Sequence, residues 1–105
     1  MITLNTIFQV WNRAAQIPGY DPSIWRQDFA GAWIRFDSYG NKSKYGWCID
    51  RFKPLSAGGT DDIDNLIVLH WQNNIEKGNS FPVFKTGVTS DGDSNIEKIR
   101  TWRAQ

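Results

Sequence analysis

Residues 47–77 bring together the residue types that are best suited to chemistry. Asp50 is a carboxylate inside an apolar run, and His70, the only histidine of the chain, stands at the end of a second apolar run. A carboxylate is a hard oxygen ligand suited to Mg²⁺ or Mn²⁺. The same Asp50 could instead be a turn carboxylate paired with Arg51 or Lys53, and His70 could be a hydrogen-bonded histidine at a strand end. These alternatives stay open from the residue types alone.

Three elements must position these residues. Tyr45–Phe52 is rich in aromatic and β-branched residues and predicts a strand, and Leu66–Leu69 predicts a second short strand. Between them, Pro54 to Thr60 predicts a loop that contains two glycines. From Trp71 the pattern is polar and helical, and Gly78 suits the end of that helix.

The rest of the chain carries weaker patterns. Apolar residues spaced by three and four predict an amphipathic helix over residues 3–16. Asp21-Pro22 predicts the start of a short helix over Ser23–Phe29, and Ala32–Phe36 predicts a strand. After a turn at residues 89–94, the spacing of Ile96, Ile99 and Trp102 predicts a final helix over Asn95–Arg103. Tryptophans 11, 25, 33, 47 and 71 are interpreted as core residues.

Composition limits the classes of function. At 105 residues, with 40% hydrophobic and 22% charged residues, the chain fits one globular domain without a linker. Its net charge of +1 lacks the basic excess of a protein that grips duplex DNA. Lys42, Lys44, Arg51 and Lys53 are the candidate local binding cluster. The single cysteine, Cys48, excludes an internal disulfide, and no apolar run predicts a membrane span or a signal peptide, so a cytoplasmic location is expected.

A larger pattern joins the residues of this segment. Pro54, Gly58-Gly59, Asn65-Leu66, Asn74 and Lys77 occur in an order and at spacings that resemble the HNH, or ββα-metal, endonuclease family. Upstream motifs resemble a bacterial subgroup of the same family: Trp25-Arg26-Gln27-Asp28, Gly31-Ala32-Trp33-Ile34, Tyr39-Gly40-Asn41 and Tyr45-Gly46-Trp47. The resemblance covers about residues 7–80, with a core at 46–78. Residues 81–105 lie outside it.

The resemblance implies a fold and a set of roles. The expected fold is α+β, one small domain (1–105) with an N-terminal helix, a ββα-metal core and an irregular C-terminal extension over 81–105. Asp50, His70 and Asn74 are the implied ligands of one divalent ion, Mg²⁺ or Mn²⁺, if a metal is retained. Asn65 is implied to brace the loop that orients the residue after Asp50.

In the family, that next residue is the histidine that takes a proton from water, and here it is Arg51. A guanidinium stays protonated at physiological pH, so Arg51 cannot act as a general base. Loss of general-base catalysis reduces a rate by about 10²–10⁴. Cys48, Phe29 and Ile67-Val68 also depart from the subgroup's pattern. Several departures around one site favour a scaffold that has lost catalysis.

Two functions follow from the sequence. The preferred expectation is a catalytically inactive HNH-like protein that acts by binding. It would be a phage or mobile-element inhibitor or modulator of a nucleic-acid-processing or host-defence nuclease complex. Its near-neutral charge favours a protein partner, with DNA as the second option. The alternative is an active metal-dependent HNH DNA endonuclease with an atypical site, in which His70 or water replaces the missing base. The partner's identity and the oligomeric state do not follow from the sequence.

Overall fold

Two helices and three antiparallel strand pairs form the described part of the computed structural model, residues 2–105. The chain therefore forms a small mixed α/β domain, as the sequence predicts in outline. In chain order the helices and strands are α1 (Leu4–Trp11), β1 (Trp25–Gln27), β2 (Trp33–Arg35), β3 (Trp47–Arg51), β4 (Leu66–His70), α2 (Trp71–Lys77), β5 (Val83–Asp91) and β6 (Ser94–Arg103). No helix within residues 2–105 is long and apolar enough to cross a membrane.

The central pair is β3 and β4, whose register places Trp47 opposite His70 and Asp50 opposite Ile67. Side chains alternate between the two faces of a strand, so Trp47 and Asp50 lie on opposite faces. The face of Trp47 packs with α1 in a core of Val10, Trp11, Ile34, Trp47 and Val68. The face of Asp50 is turned toward α2, because Lys77 contacts the Asp50 carboxylate. The strand pair thus lies between the two helices.

Helix α1 is shorter than the predicted 3–16. The hydroxyl of Thr3 accepts a hydrogen bond from the Thr6 amide and caps its start. Beyond Trp11 the chain turns, and the buried guanidinium of Arg26 donates to the carbonyls of Asn12 and Ala14. Both carbonyls lie beyond Trp11, the last helical residue, and burial lowers the pKa of Arg26. Arg26 thus fixes the turn that follows the helix.

The predicted helix over Ser23–Phe29 is wrong. The Asp21 carboxylate accepts hydrogen bonds from the Ser23 amide and hydroxyl, so Asp21 forms a local turn that does not continue as a helix. Residues 25–27 pair instead with residues 33–35. The predicted strand at Ala32–Phe36 is confirmed as β2. Cross-strand pairing here overrides a local capping signal.

The predicted helix over Asn95–Arg103 and the predicted irregular extension are both wrong. Residues 83–103 form a β-hairpin, in which Phe84, Thr86 and Val88 alternate toward the interior. The Trp102 indole donates to the Thr86 hydroxyl across the pair, at 2.8 Å. The two-residue loop is Gly92-Asp93, in which Gly92 has a φ of 63°, and a Gly-Asp pair between two alternating segments is a hairpin signal. This signal was available in the sequence and outweighs the helical spacing of Ile96, Ile99 and Trp102.

Candidate functional site

The Asp50 carboxylate is paired with an ammonium group from within the chain. Lys77, on the last turn of α2, places Nζ 2.8 Å from Oδ2 of Asp50 and donates a 3.1 Å hydrogen bond to the Arg51 carbonyl. The Lys77 side chain is fully buried. Within residues 2–105, Oδ2 accepts no hydrogen bond of good geometry, which leaves the contact with Lys77 as mainly electrostatic. The ammonium therefore neutralises the Asp50 carboxylate from the buried side.

Arg51 points to the other face of β3 and is paired as well. Its Nε lies 2.5 Å from Oδ1 of Asp61, in a pair whose two side chains remain substantially exposed. The hydrogen bond from Arg51 lowers the pKa of Asp61, and the same bond raises the pKa of Arg51. Arg51 is thus fixed as a cation and cannot accept a proton.

Two shallow pockets, each of about 250 Å³, adjoin this end of β3. The first is lined by Asp50, Arg51 and Asp61 together with Ile2, Thr6, Ile49 and Leu66. The second is lined by Asp50, Arg51 and the loop residues Pro54, Leu55 and Ser56, with Asn79. Both contain charged residues that are already paired inside the chain, so neither presents an unpaired carboxylate to a ligand.

His70 is buried, and both of its ring nitrogens form hydrogen bonds. Nδ1 accepts from the Gln72 amide at 3.2 Å, so Nε2 carries the proton and donates to the Lys44 carbonyl at 2.8 Å. Burial is the main cause that lowers the pKa of His70. The neutral ring therefore has no lone pair available for a metal or for a proton from water. Its contacts are those of a hydrogen-bonded histidine at a strand end.

The three implied ligands do not fit a common divalent ion. His70 lies opposite Trp47, on the other face of the strand pair from Asp50. Asn74 is half-buried on α2, three residues from Lys77, whose ammonium already contacts Asp50. Across residues 2–105 there is no group of three or more His, Cys, Asp or Glu side chains placed to hold a metal. No catalytic step through a metal can be derived from this arrangement.

Asn65 makes the contacts that loop bracing requires. Its Oδ1 accepts from the Lys53 amide at 2.9 Å, and its Nδ2 donates to the carbonyls of Lys53 and Thr60 at 2.9 and 2.7 Å. A Cβ at Gly59 would lie 1.7 Å from the Lys53 carbonyl oxygen, so only glycine allows this close approach. Asn65 and Gly59 together fix the loop between β3 and β4.

The four candidate binding cations do not form one cluster. Lys42 and Lys44 precede the start of β3, whereas Arg51 and Lys53 stand at its other end. Lys53 lies over the Phe81 ring at 5.9 Å, and Lys44 lies over the Tyr45 ring at 5.4 Å. The structure therefore separates the predicted cluster into two pairs.

A buried polar network was missed by the sequence analysis. Asp28 accepts four hydrogen bonds, from the amides of Ala30, Ala32 and His70 and from the Asn73 side chain. The Asn73 oxygen in turn accepts from the amides of Gly87 and Val88, both at 2.8 Å. Burial raises the pKa of Asp28 although these donors oppose the shift. The network joins α2 to β5 and explains why Asn73, rather than Asn74, is the buried asparagine.

Comparisons with known proteins give no further assignment. No protein-family model, curated protein or solved structure matches the chain.

Proposed function

We propose that the chain is a catalytically inactive, HNH-like protein that acts by binding. The order of β3, β4 and α2, an antiparallel pair followed directly by a helix, supports the likeness to a ββα core. The loop bracing by Asn65 supports it further. A fold does not by itself imply a function, so the proposal depends on the chemistry of the site.

The observation that carries the proposal is the buried Lys77 beside Asp50. An ion that entered this site would have to displace an ammonium that is fully shielded from solvent and 2.8 Å from the carboxylate. It would also leave the buried Lys77 charge without its counter-ion, which is strongly unfavourable. Arg51, tied to Asp61, supplies no base in place of the missing histidine. Together these contacts favour loss of catalysis over an atypical active site.

The proposed role is that of an inhibitor or modulator of a nucleic-acid-processing or host-defence nuclease complex, encoded by a phage or mobile element and acting in the cytoplasm. Its partner in that role is a protein. The net charge of +1 supports this choice, because a strongly basic surface is the usual mark of a duplex-DNA-binding protein. A DNA-mimicking inhibitor would need a large acidic excess, which this chain lacks. The chain would therefore bind a particular surface of its protein partner and would not act by imitating DNA.

A plasmid-cleavage assay with Mg²⁺ or Mn²⁺ tests the inactive site. We expect no Asp50-dependent cleavage by the native chain. We expect no cleavage by Arg51→His either, because the Lys77 ammonium still contacts the Asp50 carboxylate. Cleavage by the native chain that disappears in Asp50→Ala would contradict the proposal. Cleavage that appears only in Arg51→His would overturn the role given to Lys77.

Expression in bacteria that carry nuclease-based defence systems tests the binding role. We expect the native chain to raise phage plating efficiency against at least one such system. The double variant Asp50→Asn/Lys77→Met, in which the pair is neutral, should protect equally, since the carboxylate is not used in catalysis. Protection by neither protein, or protection that requires the Asp50 carboxylate, would sink the inhibitor role.

A further inference from the structure

Four aromatic rings form a connected cluster that reaches the surface around β1 and β2. Trp33, which is 5% exposed, contacts Tyr20 and Trp25 with ring centroids 4.8 and 5.6 Å apart. Trp25 in turn meets Tyr45 edge-to-face at 4.8 Å. Tyr20 is 44% exposed, and Trp25 and Tyr45 are half-buried. Trp25 is therefore only partly a core residue, in contrast to its interpretation from the sequence.

Cations surround these rings. The Arg35 guanidinium lies 5.6 Å from the Trp25 ring, and the Lys44 ammonium lies 5.4 Å from the Tyr45 ring. Lys42 is exposed two residues earlier. Asp37 pairs with Arg35 at 3.2 Å, whereas neither Lys42 nor Lys44 forms an ion pair with any residue in 2–105. We name the surface of Tyr20, Trp25, Arg35, Lys42, Lys44 and Tyr45 the aromatic–basic surface.

The loop that carries half of this surface is fixed from behind. The Lys44 carbonyl accepts hydrogen bonds from His70 and from Asn95, at 2.8 and 3.2 Å, and the Ser43 carbonyl accepts from the Trp71 indole at 2.6 Å. A Cβ at Gly46 would lie 1.7 Å from the Asn41 carbonyl oxygen, so the loop closes tightly on a glycine. All of these contacts use the backbone and leave the lysine side chains exposed. The surface is therefore preorganised, which lowers the cost of binding.

We propose that the aromatic–basic surface binds single-stranded nucleic acid. The exposed Tyr20 ring can stack on an unpaired base, and the unpaired lysines can contact the neighbouring phosphates. A duplex is disfavoured, because its base faces are stacked and because the chain offers only a few cations. Aromatic and arginine side chains are common at protein interfaces too, but lysine is depleted there and is frequent at phosphate contacts, so the two unpaired lysines favour nucleic acid at this surface. The inference lies outside the Asp50 site and does not depend on whether that site is inactive.

Fluorescence anisotropy with a labelled oligothymidylate or oligouridylate of about twenty nucleotides tests the electrostatic part. With the two unpaired lysines, the logarithm of the binding constant should fall with the logarithm of salt concentration with a slope of about −1.4. Lys42→Ala/Lys44→Ala should remove most of that slope and weaken binding at least tenfold at low salt. The matched control is Lys85→Ala/Lys98→Ala, two exposed lysines on the hairpin. Each double variant lowers the net charge from +1 by two, to −1, but the control should bind within twofold of the native chain.

Stacking is tested separately with Tyr20, the most exposed ring of the cluster. Tyr20→Ala should weaken binding roughly tenfold, whereas Tyr20→Phe, which keeps the ring, should bind as the native chain does. An abasic strand of the same length should bind at least tenfold more weakly than the oligothymidylate. Circular dichroism and thermal melting check that each variant remains folded.

Four outcomes would overturn the inference. These are no binding of either oligonucleotide at low salt, equal loss in the two lysine double variants, equal affinity for the abasic strand, or tighter binding of a duplex of the same length. The last two would indicate a purely electrostatic contact or a duplex-binding surface. None of them bears on the cleavage assay at Asp50.

Discussion

At the Trp47 end of β3, neutral hydrogen bonds hold the neighbouring loop, with His70 and Trp71 donating to the carbonyls of Lys44 and Ser43. At the Asp50–Arg51 end, Asn65 holds the loop, and two ion pairs neutralise the charged residues of the strand, Asp50 with buried Lys77 and Arg51 with exposed Asp61. At the first end the lysine charges stay outside and unpaired. At the second end the charges of Asp50 and Arg51 are both neutralised within the chain. The unpaired lysines Lys42 and Lys44 therefore lie at the opposite end of β3 from Asp50 and Arg51.

The largest expected effect is on the buried pair. Lys77→Met keeps the side-chain bulk but leaves the Asp50 carboxylate without its partner, and we expect a loss of about 3–5 kcal/mol in the free energy of unfolding. Urea denaturation measures it. The double variant Asp50→Asn/Lys77→Met removes both charges and should recover most of the loss. A loss below about 1 kcal/mol in Lys77→Met would show that the pair is in effect solvated.

The next effect concerns the buried network of Asp28 and Asn73 that joins α2 to β5. Asp28→Asn keeps the shape but turns an amide group toward two donors, and we expect a loss of about 2–4 kcal/mol in the free energy of unfolding. The exposed Asp93→Asn, on the hairpin turn, is the matched control and should be near neutral. Equal stability of the two variants would mean that Asp28 does not carry the four hydrogen bonds assigned to it.

A smaller effect is the pH dependence of the free energy of unfolding, which His70 causes at the Trp47 end of β3. The folded chain depresses the pKa of His70, so the unfolded chain takes up the proton first as the pH falls below about 6.5. Stability contributed by neutral His70 is therefore complete above that pH and is lost as the pH falls through the lower pKa of the folded state. His70 is the only histidine, and burial raises the pKa of Cys48 to about 11, well outside this window.

Unfolding followed between pH 7 and pH 5 tests this linkage. The native chain should lose stability in that interval, and His70→Gln, which has no titrating group, should show a shallower dependence. The predicted binding of single-stranded nucleic acid should weaken over the same interval, since protonated Nδ1 can no longer accept from the Gln72 amide. If the free energy of unfolding of His70→Gln depended on pH as steeply as that of the native chain, His70 would not be the residue that holds the loop.

The smallest effect is expected at the exposed pair. Asp61→Asn breaks the contact with Arg51, but solvent screens both partners, so the change in melting temperature should be far below that of Lys77→Met. Raising the salt concentration should reduce it further. If Asp61→Asn lowered the melting temperature as much as Lys77→Met, the exposed pair would contribute as much stability as the buried pair, which would contradict the prediction.

The sequence predicts the middle of the chain better than its flanks. β3, β4 and α2 were predicted because their apolar periodicity agrees with their turn residues and with Gly78 at the helix end. β1 and β6 were predicted as helices, because Asp21-Pro22 and the spacing of Ile96, Ile99 and Trp102 are local signals that strand pairing overrode. The paired state of Asp50 could not be predicted. It depends on Lys77 being directed into the interior by packing against Phe84, from a strand that was not foreseen.

Titration of the native chain with Mn²⁺, followed by calorimetry and by paramagnetic broadening of NMR signals, tests the central claim most directly. Because the Lys77 ammonium holds the Asp50 carboxylate, we predict no saturable binding that depends on Asp50. Asp50→Asn should therefore give the same titration as the native chain. Binding of one Mn²⁺ per chain, lost in Asp50→Asn and accompanied by broadening around Asp50 and Asn74, would contradict the account.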